Sequence, residues 1–110
     1  MSSEIAKYLR YLINGDKAGK ITALTVKTTP TEFTTFLDTD NYFRKHCSVY
    51  NNSPSTSGEC YYGFSGEVTS ATGKPIPKGA EIELMVAQNV SIYFCAVSGE
   101  VGDLRIEEIA

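Results

Sequence analysis

The chain has 110 residues with ten basic and thirteen acidic side chains, so its net charge is −3 at pH 7. Hydrophobic residues make up 42% and charged residues 21% of the chain, which is typical of a globular protein and argues against intrinsic disorder. The length fits one domain over residues 1–110. The mild acidity disfavours general DNA binding, because a protein that coats DNA needs excess cations to neutralise the phosphates.

The cysteines and the first residues indicate the compartment. The chain has three cysteines, whereas small secreted disulfide scaffolds carry even numbers. Residues 1–4 show neither the basic nor the apolar part of a secretory leader. No run approaches the roughly 18 apolar residues that a membrane helix requires. We therefore expect a cytoplasmic protein with no membrane contact.

Two helices are predicted in the first part of the chain. Residues 3–14 place apolar side chains such as Ile5 and Leu9 on one helical face. A second helix is predicted near 30–38, because Thr29 precedes Pro30 and Glu32 lies three residues after the threonine. This spacing is typical of a capping box at a helix start.

The rest of the chain has the pattern of β-strands joined by turns. Alternating or β-branched segments predict strands near 20–28, 42–50, 59–69, 80–87, 90–97 and 104–109. Residues 71–79 are rich in glycine and proline and are expected to be a connection. In the strand predicted over 80–87, Glu81 and Glu83 are expected to point outward. The predicted fold class is α+β, with two short N-terminal helices packed on an antiparallel meander or a small, partly open barrel of five to six strands.

A candidate binding face lies on the strand predicted over 42–50. Period-two geometry places its polar and aromatic side chains on one side, where phenols, a guanidinium and an imidazole offer flat contact area and hydrogen-bond donors. Seven tyrosines cannot all be buried with satisfied hydroxyls, so others are expected at the surface. An amphipathic edge strand with solvated side chains would give the same pattern. The candidate binding residues are Tyr42, Arg44, His46, Tyr50 and Tyr61.

No set of residues has the spacing of a catalytic or metal site. The single histidine, His46, is adjacent to Cys47, and neighbours on a strand point to opposite faces. Cys60 and Cys95 stand among aromatic and aliphatic residues, as buried cysteines do. Phosphate-binding and nucleophile motifs are absent from the sequence, and the Glu107-Glu108 pair near the chain end is expected to be solvated. We therefore expect no catalytic residue, no metal and no cofactor.

Three functional hypotheses remain. The leading one is a non-enzymatic binding module that acts by protein–protein contact, as an inhibitor, immunity or accessory protein of a bacterium or bacterial virus; this rests on analogy from size and class. Self-association into a homodimer through the strand at 92–97 or an unpaired sheet edge is a further expectation. The alternative is a binder of a small anionic ligand, such as a nucleotide, on the Tyr/Arg/His face. The third is an enzyme that uses Cys60 or Cys95 with His46.

Overall fold

The computed structural model describes residues 19–33, 46–54, 58–85 and 90–109. In these ranges the chain forms eight β-strands. They are β1 (Gly19–Val26), β2 (Thr31–Phe33), β3 (His46–Asn51), β4 (Cys60–Gly63), β5 (Lys74–Ile76), β6 (Glu81–Glu83), β7 (Ile92–Ala96) and β8 (Gly102–Ile109).

The strands pair as one long hairpin that is rolled up. β1 pairs with β8, β2 with β7, β3 with β6 and β4 with β5, all antiparallel. Rolling brings β8 against β3 and β7 against β4 as well. The result is two four-stranded sheets, sheet A in the order β1-β8-β3-β6 and sheet B in the order β2-β7-β4-β5. This is the strand order of a jelly roll.

The hydrophobic core is formed by side chains at alternating positions along the strands, which point toward the middle of the fold. Burial of one large aliphatic side chain contributes roughly 1.5–3 kcal/mol, so this layer is the main source of stability. Its fully buried aliphatic and aromatic members are Val26, Val49, Leu104 and Ile106 from sheet A and Ile76, Ile92 and Phe94 from sheet B.

A buried polar group links the two sheets. Asn51, at the end of β3, is 1% exposed, and its Nδ2 donates to the carbonyl of Ile76 on β5 at 2.8 Å. The Asn51 Oδ1 accepts from the backbone N–H of Ser53 at 3.1 Å and from its hydroxyl at 2.5 Å. The Ser53 Oγ in turn accepts from the N–H of Asp103 at 3.1 Å. Satisfied in this way, the amide can be buried without an unpaired polar atom.

Close packing beside this group requires a glycine at position 102. A Cβ there would lie 2.4 Å from the Cys60 Sγ and 3.4 Å from the Ser53 Oγ. The absence of a side chain at Gly102 therefore lets β8 approach β4 closely at this point.

The α+β prediction is wrong, because the described residues contain strands and no helix. The helix expected near 30–38 begins where the structure has β2. Thr29, Pro30 and Glu32 form a local start signal, but Thr31–Phe33 pairs with Phe94–Ile92 of β7, and this long-range pairing overrides the local preference. Residues 34–38 and the helix expected over 3–14 lie outside the described residues.

The meander and the barrel of five to six strands are also wrong, since the described residues form eight strands that pair in nested order in two separate sheets. The antiparallel pairing itself is confirmed. The segment at 92–97 offers no free edge, because β7 pairs with β2 on one side and β4 on the other.

Strand positions agree with the sequence in part. β1, β3, β6, β7 and β8 lie within or overlap the segments expected to be strands. The strand expected over 59–69 ends at Gly63, and β5 lies inside the segment expected to be a connection. Pro75 argues against a strand at this position when only the sequence is considered. The proline is tolerated because β5 is an edge strand.

Candidate functional site

β3 presents the described part of the candidate binding face. His46, Ser48 and Tyr50 alternate with buried Cys47 and Val49, as the period-two pattern predicts. Because Cys47 and Val49 belong to the core, the other three side chains lie on the outer face of sheet A. Tyr50 is 40% exposed. Tyr42 and Arg44 lie outside the described residues.

The register shows what surrounds Tyr50. It is directly opposite Arg105 on β8 and Glu81 on β6. Such neighbours on one face have Cβ atoms roughly 5 Å apart. The next group along the strands consists of Glu83, Ser48 and Glu107, in that order across the sheet. Tyr50 is thus an exposed aromatic ring on a central strand with charged side chains on both sides.

The guanidinium beside Tyr50 is held in place by its own strand. Arg105 Nη1 forms an ion pair with Asp103 Oδ1. The second carboxylate oxygen of Asp103 accepts from Asn52 Nδ2 at 3.1 Å. The positive charge of Arg105 is therefore largely balanced by Asp103, whereas Glu81, Glu83 and Glu107 are exposed carboxylates on the same face. The described part of this face is acidic.

Several members of this face were missed by the sequence analysis. Glu81 and Glu83 were expected to point outward, but nothing in the sequence showed that they lie beside Tyr50. Asp103, Arg105 and Glu107 form an alternating polar pattern along β8, which is a usable signal for a solvent face. The pairing of β8 with β3 depends on how the whole chain folds, and a single sequence does not reveal it.

Tyr61 lies on the other sheet. It stands on β4, opposite Cys95 and Pro75, and its neighbour Tyr62 packs against the core. Tyr61 is therefore on the outer face of sheet B and does not share a surface with Tyr50. Desolvation, followed by the charge of Glu59, raises the pKa of Tyr61 above its ordinary value.

The outer face of sheet B is partly covered by residues 64–73, here called the covering segment. Val68 in this segment is 7% exposed, and its Cγ2 would lie 2.8 Å from a Cβ placed on Gly63 of β4. A Cβ on Gly73 would lie 2.8 Å from both the Tyr61 Cβ and the Val68 Cγ2. The two glycines let the segment lie flat on the sheet.

Hydrogen bonds within the covering segment hold its shape. The N–H of Gly73 donates to the carbonyl of Thr69 at 2.7 Å, and the N–H of Thr69 donates to the Thr72 hydroxyl at 3.0 Å. The N–H of Val68 donates to the carbonyl of Ser65 at 3.2 Å. Consecutive turns of this kind satisfy the backbone locally.

The cysteines are placed for packing. Cys47, Cys60 and Cys95 are buried free thiols. Desolvation raises the pKa of the Cys60 and Cys95 thiols above the ordinary value of 9.0, which lowers the thiolate fraction at neutral pH. His46 lies on the outer face of sheet A, on the opposite side of its strand from Cys47.

Other ionisable groups in the described ranges do not form a metal site. No three His, Cys, Asp or Glu side chains lie close enough there to hold a metal ion. Glu108 is buried at 0% exposure, contrary to the expectation of a solvated chain end. Glu108 lies opposite Lys20 on β1 and Cys47 on β3. It is buried because it is on the same, inward-facing side of β8 as Leu104 and Ile106.

Comparison with known proteins identifies no family for this chain. The sequence matches no protein-family model and no curated protein. Within the described ranges, no helix is long and apolar enough to span a membrane.

Proposed function

We propose that this protein is a non-enzymatic binding module that acts by protein–protein contact through the outer face of sheet A, toward a partner with a basic surface. The observation that carries the proposal is the placement of Tyr50, exposed on a central strand and bordered by Arg105 and Glu81. A face of this kind suits an inhibitor or accessory protein, which needs a rigid contact surface and no reaction.

Tyr50 has the properties of a contact anchor. Tyrosine is enriched among the residues that dominate binding energy, because its ring supplies a large contact area at little cost in conformational entropy. Hydrogen bonding to β6 and β8 on both sides of β3 holds the backbone below the ring. The surrounding polar side chains correspond to the rim that excludes water around such an anchor.

The charge of the face supports a basic partner. Glu81, Glu83 and Glu107 are exposed around Tyr50, and Arg105 is paired with Asp103. Complementary charge steers association and selects among partners. The same carboxylates would repel a nucleotide or another anion, so the described residues do not favour the small anionic ligand as the alternative.

The cysteine-dependent enzyme has less support. The raised pKa of Cys60 and Cys95 disfavours a nucleophilic thiolate. His46 lies on the exposed outer face of sheet A, on β3. Cys60 and Cys95 are buried on β4 and β7 of the other sheet. A base must come within hydrogen-bond reach of its nucleophile, and this placement puts His46 on a different sheet from either thiol.

The test is capture of a partner by wild-type protein and by variants of each face. Tyr50→Ala should weaken binding of the captured protein by about 30-fold, the effect of losing an anchor worth roughly 2 kcal/mol. The double variant Glu83→Lys/Glu107→Lys should weaken it further and reduce its salt dependence. Glu59→Lys/Glu67→Lys changes the net charge equally at exposed positions away from this face, and should bind as wild type does.

Two results would contradict the proposal. One is a partner that binds every sheet A variant normally but is lost on Tyr61→Ala, which would move the site to sheet B. The other is a rise in melting temperature with a nucleotide that Tyr50→Ala abolishes, which would favour the anionic ligand instead.

A further inference from the structure

The four outer edges of the two sheets differ in how they are protected. β2, β5 and β6 are edge strands of three residues each. β5 contains Pro75, and β6 carries Glu81 and Glu83 on its exposed side. Short length, proline and charge are the usual means by which natural proteins prevent edge pairing.

β1 is the least protected of the four edges. It is an edge strand of eight residues, and it pairs with β8 along its whole length without a bulge. It contains no proline, its one charged residue is Lys20, and Ile21 is 65% exposed. No other strand of the described part of the chain pairs with its outer side. An edge this long and regular is suited to accept another strand.

The hydrogen bonds of β8 show which groups of β1 face outward. The Asp103 carbonyl accepts from the N–H of Asn52, and the Asp103 N–H donates to Ser53, so the backbone of Asp103 faces the β3 side. In a strand the backbone groups of successive residues point to opposite sides. Leu104 therefore bonds toward β1, where Leu24 is its partner.

The same alternation applies along β1. Because the backbone of Leu24 faces β8, the N–H and C=O groups of Ile21, Ala23 and Thr25 face the open edge. The side chains of these three residues are exposed on the outer face of sheet A. A strand that pairs here would bond to this set of residues.

We propose that β1 pairs with β1 of a second copy of this chain, antiparallel and about a twofold axis at Ala23. Ala23 then lies opposite its own copy, and Ile21 lies opposite Thr25 of the second copy. These pairs exchange about six backbone hydrogen bonds. The two copies of sheet A become one continuous sheet.

The self-pairing is favoured by the residues that it brings together. In this register Ile21 meets threonine and Ala23 meets alanine, so branched and small side chains pack and no like charges are opposed. Lys20 falls opposite Val26 of the second copy, away from the second Lys20. A twofold interface must be complementary to itself, and β1 meets that condition in this register.

The pairing would place two binding faces on one side of a single sheet. A twofold axis perpendicular to the sheet keeps both outer faces pointing the same way, with one Tyr50 in each half. This consequence rests on the proposed function, whereas the dimer does not. Two linked sites would raise the apparent affinity for a repetitive partner.

The first test measures molar mass by light scattering over a range of concentrations, without any partner. Wild type should show a monomer–dimer equilibrium. Ala23→Asp places two carboxylates beside the axis and should raise the dissociation constant at least about tenfold. Ala23→Pro removes an N–H that faces the open edge and no bond to β8, so it should be folded and monomeric.

Cross-linking tests the register on folded protein. Ala23→Cys should form a disulfide-linked dimer under mild oxidation, since its two Cα atoms would be about 5.5 Å apart. Thr25→Cys alone is the matched control, because its copies would be separated by about 14 Å along the strands. A mixture of Ile21→Cys and Thr25→Cys chains should cross-link to each other. The native thiols are buried, which keeps the background low.

The dimer proposal fails if wild type is monomeric at all concentrations, or if a dimer persists in both Ala23 variants. It fails in its register if Thr25→Cys cross-links as readily as Ala23→Cys. None of these results bears on partner binding by Tyr50, which is measured separately with the face variants.

Discussion

The outer faces of the two sheets are built alike, but one is covered by a neighbouring segment and the other is exposed. Each carries a tyrosine on a central strand, Tyr50 on sheet A and Tyr61 on sheet B. Over Tyr61 the covering segment folds back and Val68 and Gly73 pack on the strand. Over Tyr50, in the described part of the chain, the face has exposed charged side chains of its own sheet and no such packing.

The difference teaches that the exposure of a strand depends on the segments next to it in the chain and in the sheet. β4 leads into turns rich in glycine, serine and threonine, and such turns can lie flat on a sheet because small side chains permit close approach. β3 is flanked in the sheet by β6 and β8, whose outward side chains opposite Ser48 and Tyr50 are three carboxylates and one arginine. A charged face of this kind cannot be covered without a desolvation cost.

The largest expected effect comes from lifting the covering segment. Gly73→Val would place side-chain atoms against the Tyr61 Cβ, the Val68 Cγ2 and the Thr69 carbonyl, all within 3.0 Å of the new Cβ. We expect the free energy of unfolding to fall by about 3 kcal/mol. Ser48→Val makes a similar change on the open face and should alter stability by no more than about 0.5 kcal/mol. Chemical denaturation of both variants measures the difference, and equal losses would contradict the contrast.

A smaller effect is expected from truncating one aliphatic side chain on each face. Val68→Ala removes two methyl groups from a side chain that is 7% exposed, and should cost about 1–2 kcal/mol of unfolding free energy. Ile21→Ala removes more atoms, but this residue is 65% exposed in the single chain, so the expected loss is below about 0.5 kcal/mol when both variants are measured at concentrations where the protein is monomeric. The larger truncation should therefore have the smaller effect. The reverse order in thermal or urea unfolding would show that the covering segment contributes little.

Part of this arrangement could be predicted from the sequence. The alternation of Cys47 and Val49 with His46 and Tyr50 depends only on the period of a strand, so it is visible without a structure. The outward direction of Glu81 and Glu83 was predicted for the same reason. Local periodicity thus identified the strand and the side of it that faces outward.

The remainder depends on contacts between distant parts of the chain. Arg105 lies beside Tyr50 only because β8, the last strand of the chain, pairs between β1 and β3 in sheet A. Alternation assigns Tyr61 to the outer side of its strand, but it does not say to which sheet that strand belongs. The start signal at Thr29 and Pro30 was real as a local preference, and the pairing of β2 with β7 outweighed it.

The smallest expected effect is chemical and concerns thiols on the two faces. Cys95 is opposite Tyr61 on the outer side of sheet B, yet it is fully buried, and burial raises the pKa of its thiol. A cysteine introduced on the open face by Ser48→Cys should react with a thiol reagent much faster than the native thiols at pH 8, since reaction requires both access and thiolate. The raised pKa of Cys95 also determines how the stability of the protein changes with pH. As the pH rises above the ordinary value of 9.0, the unfolded chain loses its thiol protons first, so the free energy of unfolding should decrease. Reaction of Cys95 as fast as that of the introduced cysteine would show that sheet B is as open as sheet A.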